Sequence, residues 1–172
     1  MRQRILIPLD GSKLAEEAIK FLQFFFAPEK CEVYLLTVLF DISQVENIVQ
    51  FSVLSPELQE AAKAAQRQQE QLTRAYLDMI AWGLEDVGYR VQTHIAFGQP
   101  EVSIVHIALA LDVDLLLMTS HGQGRNVQWR YGTVARRVID ACACPTLIVP
   151  VREKLLKGEP PSKEKVMLQD LT

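Results

Sequence analysis

A short, uninterrupted apolar run, Leu115 to Met118, is the sequence feature that most constrains the fold. A strand without a polar phase is typical of a parallel sheet, in which helices cover both faces. The run ends at Thr119, and the residues that follow include Gly122 and Gly124. Two glycines so close together let the backbone approach a ligand more nearly than a Cβ would allow. The stretch therefore predicts a buried strand that opens into a loop able to touch a ligand.

A further glycine, Gly132, is separated from Gly122 by nine residues and precedes Thr133. Thr133 is predicted to be the N-cap of a helix whose apolar positions begin at Val134. The start of a helix exposes backbone N–H groups and the positive end of the helix dipole, which together attract anions. Glycines between a strand and a helix are also ordinary turn residues. The local pattern alone therefore leaves a phosphate site and a plain turn both open.

The rest of the chain alternates between strand patterns and helical periodicity. The predicted strands are residues 4–9, 31–39, 89–97, 114–119 and 145–151, and the predicted helices start at Ser12, Pro56, Pro100 and Thr133. This alternation predicts one α/β domain with an open, doubly wound, mostly parallel sheet and right-handed crossovers. The strand at 89–97 alternates polar and apolar residues and is expected at a sheet edge. We place the domain at residues 1–151 and expect a mobile charged tail at 152–172.

Three features of the sequence each allow more than one interpretation. Asp10 is either ordinary turn chemistry or a ligand contact at the carboxyl end of a strand. Residues 40–54 have no clean period, which fits a lid-like loop, a segment that faces a partner, or a loop packed on the domain. The helix from Pro56 is about thirty residues long at ~1.5 Å each, so its glutamine-rich first half is expected to project. That half is either a solvated helix end or a partner surface.

Composition argues against several classes of protein. The formal net charge of -3 is unlike that of a general nucleic-acid binder. No apolar stretch reaches the ~20 residues that cross a bilayer, and the N-terminus leads directly into a strand, so we expect no membrane association and a cytoplasmic protein. Cys142 and Cys144 lack the C-x-x-C spacing of redox and zinc sites, so we expect no metal or redox role for them. His94 and His106 have no neighbouring ligands at metal spacing.

Several separated motifs are similar to those of the universal stress protein family. In chain order they are I-L-I-P-L-D-G-S, L-L-T-V, G-Q-P, L-L-M-T-S-H-G, G-T-V-A-R-R-V and C-P-T-L-I-V-P-V. The resemblance runs from about Arg4 to Val151. It implies a Rossmann-like five-stranded sheet with the order 3-2-1-4-5 and a homodimer that pairs its fifth strands, Pro145 to Val151. In the nucleotide-binding branch of the family it also implies an ATP site at the carboxyl edge of the sheet.

The resemblance further implies a set of site residues. The base and ribose would be held by Pro8, Asp10, Val38 and Met118, and the phosphates would be surrounded by Gly122, Gly124, Gly132, Thr133 and Val134. His121 lies beside the phosphate loop, and Arg125 or Arg130 could add a cationic partner. The first glycine of the family pattern is replaced by Thr119, whose hydroxyl can itself donate a hydrogen bond.

We therefore expect an ATP-binding, dimeric regulatory module of the stress response. Its ligand would be ATP, ADP or AMP, and a triphosphate would bring Mg²⁺ with it. The alternative is a nucleotide-free member that acts as a dimeric protein-interaction module. An enzyme is not expected, because the motifs H-x-G-H, S-G-G-x-D-S and G-x-x-x-x-G-K-[ST] are absent from the sequence. His121 could act as an acid or base, so slow ATP hydrolysis is the most we expect.

Overall fold

The structure is a computed structural model that describes residues 2–40, 55–122 and 131–150. Its strands are β1 (Gln3–Pro8), β2 (Cys31–Leu39), β3 (Arg90–Phe97), β4 (Leu115–Thr119) and β5 (Thr146–Val149). They form one parallel sheet with the order β3-β2-β1-β4-β5. The predicted doubly wound sheet, its strand order 3-2-1-4-5 and the edge position of β3 are confirmed.

Helices cover both faces of this sheet. They are α1 (Glu17–Phe25), a short 3-10 helix (Pro28–Lys30), α2 (Pro56–Asp86), α3 (Pro100–Ala110) and α4 (Thr133–Ala141). Buried residues of α1 and α2 pack together on one face, and buried residues of α3 and α4 pack on the other. The sheet is therefore the middle layer between two apolar cores.

The central strand β1 supplies side chains to both cores. Ile5 and Ile7 point toward α1 and α2, whereas Leu6 between them points toward α3 and α4. All three side chains are fully buried, because successive side chains of a strand face opposite sides of the sheet. β1 pairs with β2 on one side and with β4 on the other. The chain thus changes direction of winding at β1, and the crevice between the carboxyl ends of β1 and β4 is the usual ligand position in such sheets.

The long helix α2 is anchored by its second half. Ser55 is its N-cap and accepts a hydrogen bond from the Leu58 amide at 3.4 Å. Its buried residues are Leu77, Ala81 and Leu84, which lie four and three residues apart and so share one helix face. The glutamine-rich first half has no buried residue, which agrees with the predicted projecting end.

Several element boundaries differ from the sequence prediction. Regular helix begins at Glu17 rather than just after Ser12, because a turn precedes it in which Ser12 Oγ accepts from the Ala15 amide at 3.1 Å. The N-cap of α4 is Gly132, so the prediction of Thr133 as N-cap was wrong; Thr133 is the first helical residue. β5 spans only Thr146–Val149, since the flanking prolines cannot donate to the sheet ladder.

Some predictions concern residues outside the described ranges. These are the segment at 41–54, the loop at 123–130 with Gly124 and Arg125, and everything from residue 151 onward. The division of the chain at residue 151 stays a prediction. Among the described residues, no helix combines the length and apolar character needed to span a bilayer. The same residues contain no group of three or more metal-ligating side chains.

Leu77→Ala should lower the free energy of unfolding by about 2–5 kcal/mol, because it leaves a cavity at a fully buried position. Leu72→Ala is the matched control on the same helix. Leu72 is 65% exposed, so its truncation should change stability by no more than about 0.5 kcal/mol. Urea unfolding at one fixed protein concentration measures both. Equal losses at the two positions would contradict the burial of this helix face.

Candidate functional site

A cavity of about 310 Å³ opens at the carboxyl edge of the sheet. Its volume is within the range of small-molecule sites, roughly 300–1,000 Å³. Every predicted site residue that the structure describes lies in its wall: Pro8, Asp10, Val38, Met118, Thr119, His121, Gly122, Gly132, Thr133 and Val134. Gly124 and Arg125 lie outside the described residues. The structure thus brings together residues that are more than a hundred positions apart in the chain.

The strand ends account for this convergence. Pro8 is the last residue of β1 and is in register with Leu36 of β2. The Leu9 amide still donates to the Leu36 carbonyl at 2.7 Å, so the ladder continues for one residue beyond β1. Asp10 is then the first residue past the ladder. Because parallel strands all end at the same edge, Asp10, Val38 of β2 and Met118 of β4 meet there.

One wall of the cavity comes from α3, and sequence reasoning missed it. Pro100 and Ile104 line the cavity, and Ile104 is almost fully buried. The two residues are four positions apart, so they share one face of the helix. The helical spacing of Pro100 and Ile104 was the available signal. It marks a buried helix face but does not say which end of the sheet that face covers.

Gly122 is required by the position of Asp10. A Cβ placed on Gly122 would lie 2.8 Å from Asp10 Cγ and would overlap Oδ2. The Asp10 carboxylate is also held by the backbone, since Oδ1 accepts a hydrogen bond from the Ser12 amide at 3.0 Å. The carboxylate therefore lies directly against the backbone at Gly122. Only glycine leaves room for this approach.

The start of α4 forms another part of the cavity wall. The Gly132 amide donates to the Ser120 carbonyl at 2.7 Å, which joins the two ends of the loop between β4 and α4. Thr133, Val134 and Ala135, the first residues of the helix, all line the cavity. The first amides of a helix have no acceptor within the helix, and no described side chain caps this one. These amides and the helix dipole favour an anion at this wall.

Thr119 and His121 shape the junction between β4 and the loop. The Thr119 hydroxyl donates to the His121 carbonyl at 2.8 Å, and the Thr119 residue is buried. The hydrogen-bond donor of Thr119 is therefore used within the protein rather than directed at a ligand. His121 Nδ1 and Ser120 Oγ lie 3.2 Å apart. The residue in place of the first motif glycine thus stabilises the loop in which His121 and Gly122 lie.

Two further interactions involve elements around the cavity. The Tyr76 hydroxyl donates to Glu16 Oε1 at 3.5 Å. Burial and the charges of Glu16 and Asp10 raise the pKa of Tyr76 to about 12, so this hydroxyl keeps its proton at physiological pH. A backbone hydrogen bond and the ion pair with Arg137 lower the pKa of Glu101. That ion pair joins the first turn of α3 to α4, the two helices that border the cavity.

The fold and the cavity together define the class of protein. It is a doubly wound α/β protein with room for a small ligand where the winding of its sheet reverses. Residues 1–150 match the model of the universal stress protein family. The chain therefore belongs to the universal stress protein family, and the resemblance seen in its motifs is confirmed.

Individual relatives agree with this assignment. Universal stress protein MJ0577 of Methanocaldococcus jannaschii is 31% identical over 155 residues, which cover 87% of this chain and 95% of that protein. The solved structure of MJ0577 matches with a TM-score of 0.73 and covers 88% of this chain and 98% of that one. Two more distant structures share the fold. One is a universal stress protein in complex with cAMP, with 17% identity, a TM-score of 0.59 and coverage of 87% and 97%.

The other distant structure is an Arabidopsis thaliana protein of the family with AMP bound. Its identity to this chain is 15% and its TM-score is 0.59. The match covers 94% of this chain and 97% of that one. At this level of identity the likeness concerns the fold alone.

Gly122→Ala should lower the free energy of unfolding by about 1–3 kcal/mol, because the new methyl group overlaps the Asp10 carboxylate. Gly83→Ala is the matched control. Gly83 lies inside α2, and no described atom is within 4 Å of its Cβ position, so the same change should stabilise by roughly 0.5–1 kcal/mol. Urea titrations measure both values.

The double variant Gly122→Ala with Asp10→Ala supplies the decisive comparison. Removing the carboxylate makes room for the methyl group, so the double variant should lose less than the sum of the two single losses. Strict additivity would contradict the close approach of Asp10 to Gly122.

Proposed function

We propose that this chain is a universal stress protein that binds an adenine nucleotide, ATP or its products ADP and AMP, in the cavity at the carboxyl edge of the sheet. The observation that supports this most directly is that Asp10 and the start of α4 line the same cavity. The wall of this cavity therefore includes both a carboxylate acceptor and the first residues of a helix, whose amides can donate. A ligand with sugar hydroxyls at one end and phosphate at the other satisfies both.

The three parts of a nucleotide correspond to three parts of the wall. Pro8, Val38 and Met118 offer an apolar slot for the base. Asp10 would accept hydrogen bonds from the ribose hydroxyls. The amides of Thr133 and Val134 would hold phosphate oxygens, with Gly122 and Gly132 allowing close approach.

The relatives with AMP and cAMP give independent support, because both hold adenine nucleotides on the same fold. We extend the proposed site to Gly124 and Arg125, which follow Gly122 in the same loop. A bound triphosphate would carry Mg²⁺ on its own phosphate oxygens.

We propose that the protein acts as a homodimeric, cytoplasmic regulatory module that pairs through the segment Pro145 to Val151. β5 lies at the end of the sheet and pairs only with β4 within the described residues. Its residues are half-buried in the single chain. An edge strand with free backbone groups and an apolar sequence is suited to pairing with a second copy. A bound nucleotide would then alter the loop before α4, the helix that directly precedes β5 in the chain.

A nucleotide-free interaction module is the second candidate, and two observations favour it. The Thr119 hydroxyl is committed to the His121 carbonyl rather than to the cavity. In addition, α2 exposes Leu72, Met79 and Trp82 to between 58% and 73%. These three residues are spaced seven and three positions apart, so they lie along one helix face. That face would be the contact surface if the cavity held no nucleotide.

Calorimetry with ATP, ADP and AMP tests the first candidate. Wild-type protein stripped of copurified nucleotide should bind at least one of them. Asp10→Ala should weaken binding by about tenfold, the equivalent of ~1.4 kcal/mol for lost hydrogen bonds. Asp78→Ala, an exposed aspartate on α2, is the matched control and should bind as wild type does. Absence of binding to any of the three at millimolar concentration would remove this candidate and leave the interaction module.

His121→Ala tests whether the site performs chemistry. We expect no enzyme activity beyond slow ATP hydrolysis, and we expect wild type and His121→Ala to release phosphate at equal rates under saturating ATP. A loss of turnover with unchanged ATP affinity would contradict this and would give His121 a role as an acid or base.

A further inference from the structure

Cys142 and Cys144 form a close thiol pair at the end of the sheet opposite the cavity. Cys142 is the C-cap of α4, and Cys144 comes two residues later, just before β5. Their Sγ atoms are 3.1 Å apart. The Cys142 backbone is extended, with φ -79° and ψ 126°. The two side chains therefore meet where α4 ends and the chain leads into β5.

The two sulfur atoms are already close to bonding distance. A disulfide has an S–S length of about 2.05 Å, so the sulfur atoms would approach by roughly one ångström. Both cysteines are only half-buried and are thus within reach of a small reagent. Cys31, the remaining cysteine of the chain, is fully buried on the other face of the sheet. The chain therefore carries one accessible thiol pair and one protected thiol.

The two thiols interact with each other. Burial, followed by the hydrogen bond with Cys142, raises the pKa of Cys144 to about 11. Cys144 therefore keeps its proton at neutral pH. A thiolate is the species that attacks a disulfide, and the 3.1 Å separation of the two sulfur atoms places either thiol to attack a mixed disulfide formed on the other.

We propose that Cys142 and Cys144 are a modification site that closes to an intramolecular disulfide on reaction with a low-molecular-weight disulfide. In the first step one of the two cysteines attacks, as its thiolate, one sulfur of the reagent, and the other half of the reagent leaves as a thiolate and takes up a proton. In the second step the remaining cysteine loses its proton and attacks the protein sulfur of the mixed disulfide, releasing the second half of the reagent as a thiol. The protein dithiol is oxidised, and one reagent disulfide is reduced to two thiols.

This site is independent of the proposed nucleotide. The cavity is bordered by the first turn of α4, whereas the thiol pair lies beyond its last turn. The C-x-C spacing, which argued against a redox role at the level of sequence, closes a very small ring. A small ring is strained, and strained disulfides are the ones that are readily reduced again. Reversible disulfides of this kind are the type found in reducing compartments.

The test uses the full chain, reduced and then incubated with oxidised glutathione. We expect the intact mass to fall by two hydrogen atoms and the thiol count after denaturation to fall from three to one. Peptide mapping of the wild type should place the new bond between Cys142 and Cys144, and dithiothreitol should reverse it. Cys142→Ser and Cys144→Ser each keep one thiol of the pair, so each should stop at a glutathione adduct on that thiol and form no internal disulfide. The matched control Cys31→Ser should close the ring as wild type does.

Three results would overturn the proposal. They are wild-type protein that accumulates glutathione adducts without closing the ring, disulfide-linked dimers in place of the internal bond, and loss of the Cys31 thiol as fast as the other two. The peptide mapping is done on wild-type protein, so its outcome does not depend on whether any serine variant folds.

Discussion

The parallel pairing of β1 with β4 is the interaction on which the rest of the structure depends. Arg4 and Asp114 fix its amino end by exchanging two hydrogen bonds, from the Arg4 amide to Asp114 Oδ2 at 2.7 Å and from the Asp114 amide to the Arg4 carbonyl at 2.8 Å. Ile5 and Leu6 then pair with Leu115 and Leu116. β2 and β3 lie on one side of β1. Because β4 pairs with β1, the chain continues on the other side of β1 after β3. The reversal separates the loops at the carboxyl ends of β1 and β4, and the space between them is the cavity.

Within that space, the approach of Asp10 to Gly122 determines the shape of the site. A carboxylate that touches a backbone cannot rotate freely, and the hydrogen bond from the Ser12 amide fixes it further. A fixed acceptor loses little entropy when a ligand binds. The Thr119 hydroxyl also restricts movement in the site, because it donates a hydrogen bond to the His121 carbonyl. Replacement of a glycine by Thr119 thus removes some backbone freedom, but it adds a hydrogen bond that orders the loop beside Asp10.

Most of the fold could be predicted because its signals are local. The apolar run at Leu115 to Met118 needs helices on both faces, and the alternation of strands and helices then leaves few topologies. What escaped prediction depends on geometry between distant residues. The spacing of Ile104 predicts a helix, but it does not predict which end of the sheet that helix covers. Gly132 and Thr133 are both acceptable N-cap residues, and the structure has Gly132 at this position. Spacing rules also missed the thiol pair, because the 3.1 Å approach of its sulfur atoms depends on backbone and side-chain conformation and not on the C-x-C spacing alone.

The two ends of α4 favour opposite charges, and this asymmetry separates the two proposed sites. At its start, amides without a helical acceptor and the positive end of the dipole favour a bound anion. At its end, the negative pole disfavours a thiolate, in the same direction as the raised pKa of Cys144. The nine residues of α4 span about 13 Å, which exceeds the Debye length at physiological ionic strength, about 8 Å. Phosphate at one end therefore has little direct electrostatic influence on the thiols, and any coupling between the sites has to be carried by movement of the helix itself.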